Sequence, residues 1–240
     1  EARGWLGASF AAWNLLDLDA VAVTAERALV ASEGGAPGLR SPALRMLGNA
    51  YRTRGDQLGC AQLIREAVAV ARASGSIEDE AKALNNLSID ESRLGDLVGA
   101  LRASLRSIRL KKQLRASASI EVSYNNLGYL LSSLGRKEEA REVFEGVTAR
   151  ATDQAVLTLA YTNLGELELR EERMDAAIAY FERGLAVAVQ HEYDATRAHS
   201  LIGLVRSHLM RDELDIAEQH LDALRVLTEG VAFEVCRVTS

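Results

Sequence analysis

The chain has 240 residues, of which 48% are hydrophobic, and its 34 acidic and 28 basic side chains give a formal net charge of −6. These values are typical of a folded protein, and the acidic balance argues against a dedicated nucleic-acid binder. No apolar run approaches about eighteen residues, so no transmembrane span is predicted. Two cysteines, Cys60 and Cys236, are too few for a disulfide framework and favour a reducing cytoplasm.

An internal period of about forty residues organises the chain. A leucine recurs with gaps of 40, 40, 37 and 40 residues, and a small residue follows each leucine thirteen positions later. The leucines are Leu47, Leu87, Leu127, Leu164 and Leu204, and the small residues are Cys60, Ala100, Ala140, Ala177 and Ala217. A weaker first copy precedes them. The predicted repeats lie near 1–40, 41–80, 81–120, 121–157, 158–197 and 198–230, followed by a tail over 231–240.

Each repeat is predicted to be a helix, a short turn and a second helix. Apolar residues recur at helical spacing on both sides of polar stretches such as "RGDQLG" and "LGDLVG". Loop-forming stretches such as "SEGGAPG" and "SGSIED" separate the repeats. One helical hairpin cannot bury its apolar face alone, so neighbouring repeats must stack. The sequence therefore predicts an all-α solenoid of about six repeats, forming a single domain over residues 1–240.

In the first repeat, Trp5 and Trp13 lie eight positions apart and share one face of the first helix. Trp is favoured where proteins bind their partners, so the pair is a candidate ligand anchor. The alternative, which we prefer, is packing against a segment upstream of Glu1, since we expect this chain to be part of a longer protein.

In the second to fifth repeats, polar side chains recur on the predicted first helices. Arg45, Asn49 and Arg52 share one helical face of the second repeat by their spacing. Asn86, Asn126 and Asn163 directly precede the recurring leucine of the next three repeats. Because an asparagine offers both a donor and an acceptor, this ladder can hold an extended peptide backbone. The alternative is that these asparagines only tie neighbouring helices together.

The stretch "LRASLRSIRLKKQLR" in the third repeat carries six basic side chains and no acid. The spacing of Arg102, Arg106 and Arg109 puts them on the outer face of a second helix. We interpret the stretch as a solvated face, because no aromatic side chains alternate with the basic ones as nucleic-acid binding favours. The sequence contains no metal-ligand spacing, nucleotide-binding motif or catalytic constellation. It predicts a protein that is not an enzyme and that needs no cofactor or metal.

The repeats resemble the tetratricopeptide (TPR) family along essentially the whole chain. The matching residues are Leu47, Gly48, Tyr51, Gly55 and Cys60, then Leu127, Gly128, Gly135, Ala140 and Phe144, then Leu164, Gly165, Ala177 and Phe181. The forty-residue unit is similar to the variant of kinesin light chains, spindle-orientation adaptors and sensor modules of large bacterial regulators. The resemblance implies a right-handed superhelix whose first helices line a concave groove for a peptide or partner protein.

The resemblance also bears on the candidate residues. Family members that clamp a terminal carboxylate use a basic residue and an asparagine at the places of Arg45 and Asn49, and an asparagine at that of Asn86. They also need a basic pair where this chain has Val122 and Asn126, so the clamp is incomplete. The predicted groove residues are Arg45, Asn49, Arg52, Asn86, Asn126 and Asn163.

Two functions follow as expectations. The first is a non-catalytic module that grips a peptide or partner domain in its groove. The second is a regulatory or self-association arm of a larger bacterial signalling or transcription-regulating protein, since the stretch after Gly230 lacks the polar character of a terminal cap. A bacterial source is favoured by 24 arginines against four lysines. Neither nucleic-acid nor membrane partners are expected.

Overall fold

The computed structural model describes residues 1–14, 17–33, 37–115 and 117–238. These residues form twelve α-helices and one short 3-10 helix, Pro37–Leu39, and no strand occurs among them. The helices are α1 (Ala2–Asn14), α2 (Leu18–Glu33), α3 (Arg40–Thr53), α4 (Gln57–Ala73), α5 (Ile77–Arg93), α6 (Leu97–Gln113), α7 (Ser117–Ser133), α8 (Lys137–Thr148), α9 (Gln154–Arg170), α10 (Met174–Gln190), α11 (Asp194–Met210) and α12 (Leu214–Val238). The predicted all-α solenoid of helix–turn–helix repeats is confirmed.

The odd-numbered helices are the first helix of each hairpin, and we call them A helices; the even-numbered ones are B helices. Apart from α1, each A helix begins one to four residues before the repeat boundary expected from the period, as α5 does at Ile77. The reason is capping within the predicted loop. The Ser76 hydroxyl accepts a hydrogen bond from the backbone N–H of Asp79, which starts the helix early. The last helix continues to Val238, so the expected tail is largely helical.

The chain divides into two compact units, Glu1–Leu130 and Leu131–Ser240, and each is described by itself. A single domain over the whole chain therefore stays a prediction. In unit 1 the A helix α3 contacts both α1 and α5, in addition to its own B helix. In unit 2 the A helices α9 and α11 likewise contact each other. Neighbouring A helices thus lie side by side within a unit.

The recurring turns owe their sharpness to glycine and aspartate. Gly55 and Gly95 both adopt φ of 85°, a left-handed conformation that costs glycine little. The following residues, Asp56 and Asp96, cap α4 and α6, since each carboxylate accepts a hydrogen bond from a backbone N–H at 2.8 Å. The "GD" pair in "RGDQLG" and "LGDLVG" therefore ends one helix and begins the next.

The core consists of the two series that define the repeat. The five recurring leucines are all buried, and the small residues Cys60, Ala100, Ala140 and Ala177 are fully inaccessible to solvent. In unit 2 the ring of Phe181 is also fully buried and packs with Leu169, Ala177 and Leu204. Small residues let paired helices approach closely, while the larger side chains fill the space between hairpins. Among the described helices, none is long and apolar enough to cross a bilayer.

Candidate peptide-binding face

The predicted groove residues of unit 1 lie on three successive A helices, α3, α5 and α7, and we call this surface the A face of unit 1. Arg45, Asn49 and Arg52 lie on α3, Asn86 lies on α5 and Asn126 lies on α7. All five are half-buried, as expected of side chains on a surface between helices. Asn163 lies on α9 of unit 2 and is also half-buried.

The two asparagines of "NNL" in α5 have different surroundings. The Asn85 amide oxygen accepts hydrogen bonds from the Ser123 hydroxyl, at 2.8 Å, and from the Asn126 amide, at 3.4 Å. Asn85 therefore ties α5 to α7. Asn86 makes no side-chain hydrogen bond to any residue that the structure describes, and the residue is half-buried. On α5 the tie is therefore made by Asn85 and not by Asn86, although on α7 the ladder residue Asn126 takes part in it.

The same tie recurs in unit 2. The Thr162 and Ser200 hydroxyls lie 3.3 Å apart and join α9 to α11. Thr162 directly precedes the ladder residue Asn163, as Asn85 precedes Asn86, and both ties join residues 38 positions apart. The sequence could have indicated these serines, because Ser123 and Ser200 stand four positions before the recurring leucines Leu127 and Leu204.

Arg52 is engaged within the protein. Its guanidinium forms a two-point ion pair with the Asp90 carboxylate at 2.8 and 3.0 Å, and it also donates to the Asn49 amide oxygen at 3.0 Å. Asp90 is fully buried, and its second oxygen lies 3.3 Å from the Cys60 sulfur, which donates to it. Burial opposes ionisation of Arg52, but the hydrogen bonds and charge of Asp90 outweigh it and raise the pKa of Arg52. Burial raises the pKa of Cys60 to about 12, so Cys60 remains a thiol.

The basic stretch of α6 is divided between two environments. Arg102, Arg106 and Arg109 are exposed, and Arg106 pairs with the buried carboxylate of Glu80 at 2.9 Å. Lys111, in contrast, is only 5% exposed, and its ammonium donates to the Ser123 hydroxyl at 2.7 Å. The sequence did not predict that any residue of this stretch would lie near the groove residues. Lys111 nevertheless reaches the same hydrogen-bonded group as Asn85 and Asn126.

The surroundings of Lys111 lower its pKa. Burial, and then the positive charges of Lys82 and Arg45, lower the pKa of Lys111 to about 8. Burial also lowers the pKa of Arg45, against the weaker attraction of Asp79 and Glu78. The Nε atom of Arg45 is buried and has no hydrogen-bond partner among the described residues.

The tryptophans of α1 pack within the protein. Trp5 and Trp13 both contact the core that α1 and α2 share with α3. The Arg27 guanidinium lies 4.6 Å from the centre of the Trp5 ring, in the range of a cation–π contact. Of the described residues, no group of three or more histidines, cysteines or carboxylates is arranged to hold a metal ion.

The comparison with known families agrees with these repeats. Residues 122–153 and 159–188 match the family model described as the tetratricopeptide repeat. The two matched segments fall in the hairpins α7–α8 and α9–α10. The predicted resemblance to the TPR family is thereby confirmed. None of the proteins of curated function matches the sequence significantly.

Solved TPR structures share the fold at low sequence identity. BtubC from P. vanneervenii is 19% identical, with a TM-score of 0.69 over 90% of each chain. A putative kinesin light chain from Podospora anserina is 15% identical, with a TM-score of 0.62 over 82% of this chain and 98% of that one. The apo quorum sensor NprR from B. thuringiensis is 13% identical, with a TM-score of 0.77 over 95% of this chain and 65% of that one. At these identities the likeness is one of fold.

Proposed function

We propose that this chain is a non-catalytic module that binds a protein or peptide along its A helices. The observation that carries the proposal is the contrast between Asn85 and Asn86. Asn85 ties the helices, so the amide of the half-buried Asn86 is not needed for that tie and can hold a peptide backbone through one donated and one accepted hydrogen bond. We propose that Asn126 and Asn163 also hydrogen-bond the ligand. Arg45 and Asn49 belong to the same face of unit 1 as Asn86, and Arg52 holds α3 against α5.

A pull-down from the lysate of the source cell tests the proposal. Wild type is compared with an Asn86→Ala, Asn126→Ala, Asn163→Ala triple variant, after circular dichroism shows that both are equally folded. We expect a partner that wild type retains and the triple variant loses. The matched control is Asn85→Ala, which alters the helix tie and should cost stability while the partner is still retained. Equal recovery of the same proteins by wild type and triple variant would contradict the role of the asparagines.

The second candidate is a regulatory or self-association arm of a larger bacterial protein. The last helix favours it, because α12 exposes three large apolar side chains, Leu214 at 60%, Ile216 at 40% and Val226 at 70%. The fold of the NprR quorum sensor, of which this chain spans 65%, is consistent with a regulatory setting. Mass measured over a range of concentrations tests self-association: the candidate requires a larger species that Val226→Glu removes, and a monomer at all concentrations would exclude it.

The low cysteine and lysine counts support a bacterial cytoplasm as the proposed setting. A nucleic-acid partner is not part of the proposal. Of the exposed arginines on α6, Arg106 is already paired with Glu80, which reduces the positive charge that this helix offers to phosphates.

A further inference from the structure

We propose that the stacked pair of His208 and His220 is a pH-sensitive contact, which holds the last helix, α12, on α11 at neutral pH and releases it in mildly acidic solution. The inference goes beyond the proposed function, because it concerns the packing of the last hairpin and not the residues assigned to ligand binding.

The two imidazoles join the helices of the last hairpin. Their ring centres lie 5.4 Å apart and their planes differ by 21°, so the rings are stacked. His208 lies on α11 and is only 7% exposed, while His220 lies on α12 and is half-buried. Two neutral imidazoles in this arrangement pack like other aromatic side chains. Two imidazolium ions would repel each other across the same contact, because like charges at short distance disfavour ionisation.

The helix α12 has few other buried residues. Between residues 214 and 229 only Ala217 and Leu227 are buried, and His220 lies between them on the same face of the helix. The preceding B helix, α10, buries four residues over a similar length, among them the large ring of Phe181. A contact that changes with pH therefore has more influence on the packing of α12 than it would have on that of α10.

The other repeats show that a histidine is not needed at the position of His220. This position lies three residues after the recurring small residue. The second to fifth repeats have buried or half-buried side chains there that are uncharged at neutral pH, namely Leu63, Ala103, Val143 and Tyr180. The last hairpin thus has, at the same place, a side chain whose charge changes close to neutral pH.

Only one of the two imidazoles has a counter-ion. The Nδ1 atom of His208 lies 2.6 Å from a carboxylate oxygen of Glu213, in the turn between the helices. The hydrogen bond from His208 lowers the pKa of Glu213, so this carboxylate stays charged in mild acid. Glu213 also pairs with Arg211 at 2.8 Å. Within the described part of the chain His220 forms no ion pair, and the charged groups that act on it are His208 and, from α10, Glu182.

Protonation of His220 therefore opposes the closed contact. Burial, and then the charge of His208, lower the pKa of His220 from its ordinary value of 6.5, against the attraction of Glu182. When α12 leaves α11, His220 enters water and its pKa returns towards that value. The released state then binds more protons than the closed state below about pH 6.5, so acid shifts the equilibrium towards release.

Hydrogen exchange of the backbone amides of α12, measured by mass spectrometry on the full chain, tests the inference. Exchange is compared at about pH 7.5 and about pH 5, with each rate corrected for the intrinsic effect of pH. We expect the protection of α12 to fall severalfold at the lower pH, while that of α10 changes less. His220→Leu should keep its protection at both pH values, and leucine fits because Leu63 occupies this position in the second repeat. The matched control is His199→Leu, which removes an exposed histidine from α11 and should behave like wild type.

Three results of the exchange experiment would overturn the inference. They are equal protection of α12 at both pH values in wild type, an equally large loss in α10, and a loss in acid that persists in His220→Leu. Proton NMR titration of the wild-type histidines gives a check that does not depend on any variant. We expect the His220 ring to titrate below pH 6.5, and a transition at or above that value would also overturn the inference.

Discussion

Replacing Phe181 with alanine should lower the free energy of unfolding by about 3–5 kcal/mol, among the largest effects expected of any single change in unit 2. The ring is fully buried at the centre of α9, α10 and α11. Two glycines leave room for the ring because they have no side chain. A Cβ atom placed on Gly165 would lie 2.7 Å from the ring, and one placed on Gly203 would lie 2.3 Å from it. Both helices are therefore shaped around the aromatic ring, and alanine would leave a cavity that they cannot easily close.

Urea unfolding followed by circular dichroism measures this loss. The matched control is Phe10→Ala, the same chemical change at a side chain that is 42% exposed, which should cost less than about 1 kcal/mol. A loss at Phe181 no larger than the loss at Phe10 would contradict the packing described for unit 2.

Replacing Arg52 with methionine should destabilise unit 1 by about 3–5 kcal/mol. The change keeps the apolar stem but leaves the carboxylate of Asp90, which is fully buried, without its counter-ion. The weak donor of Cys60 cannot replace two charged hydrogen bonds. The Arg52→Met variant should therefore bind less ligand because less of it is folded. This holds whether or not the guanidinium itself contacts a ligand.

The matched control lies two residues away. Arg54→Met removes the same charge from a surface ion pair with Asp19, whose side chain is 91% exposed, and should change stability by less than about 1 kcal/mol. Equal stability of the two methionine variants at neutral pH would rule out a structural role for the Arg52–Asp90 pair.

The repeats could be predicted because two series of residues recur at a fixed spacing in the sequence. A buried leucine followed thirteen positions later by a small residue requires two close helices and a turn between them, and it recurs through five of the six repeats. The exact starts of the A helices were not predictable from the period. They depend on caps such as Ser76, which stands in a stretch that also has the composition of a loop.

The buried charges could have been inferred from the same series. Asp90 stands three positions after its leucine, where the next two repeats have Leu130 and Leu167, so a charge at this place predicts a buried partner. Lys111 stands eleven positions after its small residue, where Ala71 and Ala188 are fully buried in other repeats. Interpreting the stretch around Lys111 as one solvated face missed it, because the stretch was not compared position by position with other repeats.

The sequence locates the asparagine ladder, but it does not show which asparagines tie helices together and which can bind a ligand. The period puts Asn86, Asn126 and Asn163 at one place on three helices. Whether an amide ties helices or remains available depends on which neighbour lies within hydrogen-bonding distance, and the sequence holds two adjacent asparagines that could do either. Only the contacts show that Asn85, not Asn86, bonds to Ser123.

Site-specific photo-crosslinking tests the central claim, binding along the A helices, most directly. A photoreactive p-benzoylphenylalanine is introduced at Tyr129 on the A helix α7, or at Leu105 on the B helix α6, two positions of similar exposure at 53% and 48%. Each protein is irradiated in the lysate of the source cell. We predict a crosslinked partner from Tyr129 and none of comparable yield from Leu105. A partner captured at Leu105 but not at Tyr129 would show that the ligand binds the B helices and would contradict the account.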